Sequence, residues 1–199
     1  MKSASNRCGM TLIELLVVIA VLGILAAALI PSGSSGAHEQ LRAAAQILVS
    51  DLAYARSLAV GSNSKYKVTF DFVKNQYILE HSGSNPALER LPNSPFRHPD
   101  DPDHQYIVRL EELARGGSRV RLAAVGRGAS GEQPATRVEF DAYGATTSAT
   151  PTVIWLAVGA GGDRNYIAVQ VNPVTGLAVA GEITAAKPPP SIIALEAAD

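Results

Sequence analysis

The chain has 199 residues, enough for one domain with an appendage, and its 17 Lys and Arg against 18 Asp and Glu leave a formal charge of −1. That balance excludes any argument from overall charge for nucleic acid or an acidic lipid surface. The single cysteine, Cys8, excludes an intramolecular disulfide, and it precedes the apolar run that a lipoprotein cysteine would follow.

Residues 1–9 are short, polar and basic, with Lys2 and Arg7. Met10–Ile30 is apolar except for Thr11 and Glu14, and the stretch Leu15–Ala37 carries no charge. As a helix, residues 10–30 rise about 31 Å, close to a hydrocarbon core of about 30 Å. The basic flank predicts a cytoplasmic N-terminus with the remainder across the membrane. A carboxylate at an embedded position costs about 2.5–3.5 kcal/mol, so Glu14 is not expected to be passive. A secretory signal peptide would have a shorter apolar core without an acid. A generic single-pass anchor would explain the length but neither Glu14 nor the glycine just ahead of the run.

Residues 31–36, Pro-Ser-Gly-Ser-Ser-Gly, predict a break, with Pro31 at the kink. An amphipathic helix is expected from about Ala37 to Val60, with Gly61 as its stop. Its apolar stripe is Leu41, Ala44/Ala45, Leu48, Leu52, Ala55 and Leu58/Ala59, which leaves Asp51 and Arg56 as surface groups.

From residue 62 to 184 the texture is that of strands. Lys65–Val73 and Gln76–His81 read as a hairpin around Lys74-Asn75. Residues 82–104 read as a long surface loop. Further strands are expected at Tyr106–Leu110, Arg119–Val125, Thr136–Asp141, Thr152–Val158, Tyr166–Val171 and Leu177–Val179, separated by glycine-rich turns. The fold class is therefore α+β. A long N-terminal helix precedes a head of seven or eight short, mostly antiparallel strands in two packed or bent sheets. Residues 185–199, with Pro188-Pro189-Pro190, are expected to form a flexible tail.

The segment Gly9-Met-Thr-Leu-Ile-Glu-Leu-Leu resembles the type IV prepilin processing site. The resemblance implies cleavage after Gly9 by a prepilin peptidase, methylation of the new N-terminal Met10, and an assembly role for Glu14 at the fifth mature position. Met10 departs from the usual Phe. Ala55-Arg56-Ser57-Leu58-Ala59, Val138–Gly144 and Thr175-Gly176 are similar to phrases of the GspH/FimT pseudopilin family. That similarity implies a minor pseudopilin of the type II secretion pseudopilus. The alternative is a FimT-like minor type IV pilin in pilus assembly or DNA uptake. The implied partners are other pseudopilins or pilins through the N-terminal helix, the prepilin peptidase, the inner-membrane assembly platform and membrane lipid. The implied location is the bacterial inner membrane, single-pass with a periplasmic head, and then the filament.

Two other constellations stand out. His98, Asp100, Asp101, Asp103 and His104 are legitimate ligands for zinc or calcium, but their spacing matches no standard loop and a solvated acidic loop is the simpler reading. Arg115, Arg119, Arg121, Arg127 and Arg137 surround one expected strand pair, and alternation puts Arg119 and Arg121 on one side, where they could meet phosphates. A solvated strand face is again simpler, and nucleic acid is not an expected partner. Gly126–Gly131 lacks the Gly-Lys-Ser/Thr ending of a phosphate loop. No nucleophile–base spacing suggests catalysis, so neither enzyme activity nor a cofactor is expected.

Overall fold

The computed structural model describes residues 12–28, 33–92, 98–113 and 120–189. The chain divides into two units, Met1–Ser35 and Gly36–Asp199.

In the first unit, α1 (Leu12–Ala28) is a 17-residue helix, about 26 Å long at 1.5 Å per residue. Among the described residues no helix is long and apolar enough to cross a membrane. Four positions of the expected 10–30 span, Met10, Thr11, Leu29 and Ile30, lie outside the described residues, as does Pro31.

The second helix, α2 (Gly33–Gly61), starts four residues before the expected Ala37. Gly33–Gly36, expected within the break, is helical, while Pro31 and Ser32 lie outside the described residues. Glycine and serine cost a helix only about 0.5–1 kcal/mol each relative to alanine, which the good helix formers downstream offset. The predicted stripe is buried: Leu41, Ala45, Leu48, Leu52, Ala55 and Ala59 are all 0% exposed. Each leucine so buried contributes about 1.5–3 kcal/mol. The C-terminal stop is Asn63, not Gly61. Asn63 has φ +48°, and the Ser64 and Asn63 N–H groups donate to Ala59 O at 3.1 Å and Val60 O at 3.2 Å. That pattern is a Schellman closure, and asparagine is the residue besides glycine that enters this conformation most readily.

The described residues of the head form nine strands: β1 (Tyr66–Asp71), β2 (Gln76–His81), β3 (Gln105–Arg109), β4 (Arg121–Arg127), β5 (Gln133–Pro134), β6 (Arg137–Phe140), β7 (Thr152–Val158), β8 (Asn165–Val171) and β9 (Ala178–Thr184). A short helix, α3 (Leu110–Leu113), follows β3. They form two antiparallel sheets, ordered β3-β2-β1-β6 and β5-β4-β7-β8-β9. The α+β class with two sheets is as expected. In β1, Tyr66, Val68 and Phe70 point inward, and Lys67 faces Glu80 across the outer side at 3.0 Å. One core joins the α2 stripe to both sheets, with Tyr77 and Leu79 from one and Ile154, Leu156 and Val169 from the other.

Three loop expectations change. The β1–β2 connection spans Phe72–Asn75, because Asp71 Oδ1 accepts the Lys74 N–H and Asn75 takes φ +49°. Within the described part of 82–104, Leu91 is pinned and not superficial: it is 4% exposed, and its N–H donates to Asp103 O. At the start of the tail Pro188 is buried, and the Ala186 N–H donates to Thr184 Oγ1. Residues 190–199 lie outside the described residues.

Candidate assembly interface

Helix α1 is apolar all round. From Leu12 to Ile24 every position is exposed, including Leu12 at 84% and Ile24 at 71%. Glu14 is the acid of its first turn. A helix with no polar face and no cover belongs in lipid or in a bundle of similar helices. Gly9 and Met10, the expected processing positions, lie outside the described residues.

The acidic loop uses its charges internally. Asp101, with a side chain 3% exposed, is 2.7 Å from the Arg109 guanidinium of β3. Asp103 is 3.5 Å from Arg90, and Asp100 is 3.5 Å from His98 Nδ1. His104 is exposed. Among the described residues, no three of His, Cys, Asp and Glu gather in a way that could hold a metal ion.

The described arginines of this set, Arg121, Arg127 and Arg137, do not share one surface. Arg115 and Arg119 lie outside the described residues. Strands β4 and β6, read from sequence as one strand pair, belong to different sheets, which separates Arg121 and Arg127 from Arg137. Within β4 the register shifts between Leu122 and Ala124, so Arg121 faces Ala157 and Arg127 faces Thr152. Those partners are five residues apart on β7, an odd spacing, so the bulge has sent the two arginines to opposite faces.

The structure instead unites three phrases that are far apart in the chain. Arg56, expected at the surface of α2, is tied down: its Nε–H donates to Gly144 O at 3.1 Å. Gly144 has φ +81°, and a Cβ there would sit 3.0 Å from both Arg56 Nε and Val60 Cγ2. Gly176 has φ +65°, and a Cβ there would run into the Gly144 carbonyl oxygen. Each turn is preset by its own side chain. Asp141 Oδ1 accepts from Tyr143 and Ala145 N–H, and Asn172 Oδ1 accepts from Val174 and Thr175 N–H. The Thr146 N–H then donates to Pro173 O at 2.8 Å. The end of α2, the β6–β7 loop and the β8–β9 turn are thereby clasped together.

Asp51 is also drawn inward. It accepts from the Tyr77 hydroxyl at 2.5 Å, and burial raises its carboxyl above the usual range against the lowering effect of that bond. Tyr77 is pushed up well above 10 by burial and by Asp51, and Tyr106 is pushed up to about 12 for the same reasons. Asn75, unremarkable in sequence, bridges the sheets: its amide donates to Val120 O at 2.9 Å and accepts from Leu122 N–H at 2.8 Å. A serine–imidazole pair, Ser64 Oγ and His81 Nε2 at 2.7 Å, is roofed by Gly83, where a Cβ would strike the serine oxygen. No carboxylate among the described residues orients that imidazole.

Residues 4–30 match the family described as the prokaryotic N-terminal methylation motif. No curated protein matches the chain. Among solved structures, the minor pseudopilin EpsH of the Vibrio cholerae type 2 secretion system aligns at TM-score 0.49 and 13% identity, over 71% of this chain and 96% of that one. The type IV minor pilin FimU of Pseudomonas aeruginosa aligns at TM-score 0.45 and 16% identity, over 77% of this chain and 95% of that one. At such scores the likenesses carry no weight of their own, and the fold stands on its strands and registers. The chain thus carries the methylation motif of prepilin-like proteins over a segment that contains the whole of α1.

Proposed function

We propose that the protein is a minor pseudopilin of the GspH/FimT kind, a structural subunit of the type II secretion pseudopilus and not an enzyme. The observation that carries this reading is the methylation motif over residues 4–30, with Glu14 in the first turn of an all-apolar helix. On this reading the chain inserts in the inner membrane with its head periplasmic. The peptidase cuts after Gly9, and Met10 becomes a methylated N-terminus. The helices then leave lipid for the filament interior. A carboxylate in that low dielectric is stabilised strongly by a cation. The available cation is the Met10 amine of a neighbouring subunit, which exists only after cleavage, so processing and axial register become one event. The separation of Arg121, Arg127 and Arg137 lends nothing to the alternative of a DNA-uptake pilin.

The reading is tested by following Glu14→Ala in cells that build the filament. Targeting, processing and head folding should match wild type, while cross-linking to other pseudopilins falls sharply. A variant that assembles like wild type would remove the pairing role. A wild-type protein absent from the filament fraction would overturn the subunit reading itself.

A further inference from the structure

The five-stranded sheet has two faces, and the main core uses one of them. Ile154, Leu156 and Val169 point into that core together with the α2 stripe. Side chains alternate along a strand, so Trp155 and Ala157 of β7 and Tyr166 of β8 point the other way. There they form a second apolar cluster with Ala123, which sits at the β4 bulge. Ala123 is 6% exposed, Ala157 4% and Tyr166 3%, a core-like burial on the face turned away from α2. Trp155 is half-buried. Its indole N–H is out of contact with solvent, and no described group accepts from it. A buried indole N–H ordinarily finds an acceptor.

The register sets out this face in rows. Arg121, Ala157, Tyr166 and Thr184 stand directly opposite one another from β4 across to β9. Arg121 is exposed at one end of the row. Thr184 at the other end is the last residue of β9, so the chain leaves the sheet beside Tyr166. The departing segment does not swing clear: the Ala186 N–H donates to Thr184 Oγ1, and Pro188 is buried. Residues 190–199 follow, outside the described residues. Their composition fits the face. Ile192, Ile193 and Leu195 are apolar, and the charges of the segment are the acids Glu196 and Asp199, opposite in sign to Arg121. Their reach is ample, since β9 to β4 is three strand spacings, about 14 Å, while ten extended residues span up to about 33 Å.

We propose that residues 190–199 form a strap across the outer face of the five-stranded sheet. Ile192, Ile193 and Leu195 cover the Trp155–Tyr166 cluster, and the two acids lie toward Arg121. A chain crossing there brings backbone carbonyls to the Trp155 N–H and takes the indole out of water. The strap does on this side of the sheet what α2 does on the other. The end of the chain, expected from its prolines to be a loose tail, thereby becomes part of the head.

Trp155 is the one tryptophan of the chain, so tryptophan fluorescence reports this face alone. The full chain, purified in detergent, is compared with a chain ending at Pro189 and with an Ile192→Asp, Ile193→Asp double variant. With far-ultraviolet circular dichroism unchanged, Trp155 emission in both should move to longer wavelength and acrylamide quenching should increase. Separately, benzoylphenylalanine takes the place of Ile193 in the full chain. On illumination it should join the peptide that contains Trp155 or Tyr166 in the same molecule. Emission and quenching that stay unchanged in both altered chains overturn the proposal. So does the absence of that cross-link, or its formation with a second copy, with lipid or detergent, with another protein or with a different part of this chain. If an altered chain unfolds, the cross-link alone decides.

Discussion

Arg56 illustrates how a side chain that reads as surface becomes structural. Its guanidinium meets a carbonyl that only the left-handed Gly144 can present, and Gly176 lets the second turn approach that carbonyl. Arg56→Ala should cost about 1–2 kcal/mol, since the bond is charge-assisted but part-exposed. Gly176→Ala should cost more, about 2–4 kcal/mol, because it combines a positive φ with a backbone clash. Chemical denaturation of the head measures both, and equal losses would argue against the clasp geometry. Asp51 gives a pH signature. Its folded pKa is raised above 3.8, so its contribution is fully present below pH 3.8 and is lost as pH rises through the folded value. Asp51→Asn should flatten that acid-side slope. Tyr106, raised from 10.0 to about 12, adds a second loss of stability between those values, absent in Tyr106→Phe. Sequence displays such residues but not their partners: Arg56 and Gly144 are 88 positions apart.

The elements were legible where one periodicity was strong. The α2 stripe and the strands Gln76–His81 and Thr152–Val158 follow directly from hydrophobic pattern. Helix ends were less legible, because Gly61 is the obvious stop while Asn63 adopts the required conformation. The two-residue β5 has no pattern to detect, and α3 is held by position, its first N–H donating to Asn75 O. The bulge in β4, which decides where its arginines point, is likewise set by pairing and not by local sequence. Two substitutions probe this scale. Leu52→Ala should lose about 2–5 kcal/mol by cavity formation in the core. Asn75→Ala should lose about 1–3 kcal/mol by leaving the Val120 carbonyl and Leu122 N–H without their bridge. An Asn75→Ala head as stable as wild type would show that the two sheets are held without it.

At the scale of the whole molecule, the two units have opposite solvent demands. The head buries an apolar core that joins the α2 stripe to both sheets, whereas α1 exposes its apolar side chains from Leu12 to Ile24. Removing residues 1–36 leaves the α2 stripe intact from Leu41, so the remainder should be soluble and cooperatively folded; a truncated head that precipitates would contradict that division. The central claim is that the N-terminal segment is a processed and methylated assembly signal. Its most direct measurement is the intact mass of the protein from a host with a prepilin peptidase. The account predicts a chain that lacks Met1–Gly9 and carries one added methyl group on Met10, with Gly9 substitutions trapping the full-length form in the membrane. Cleavage after Ala28, as a secretory signal would give, would contradict it.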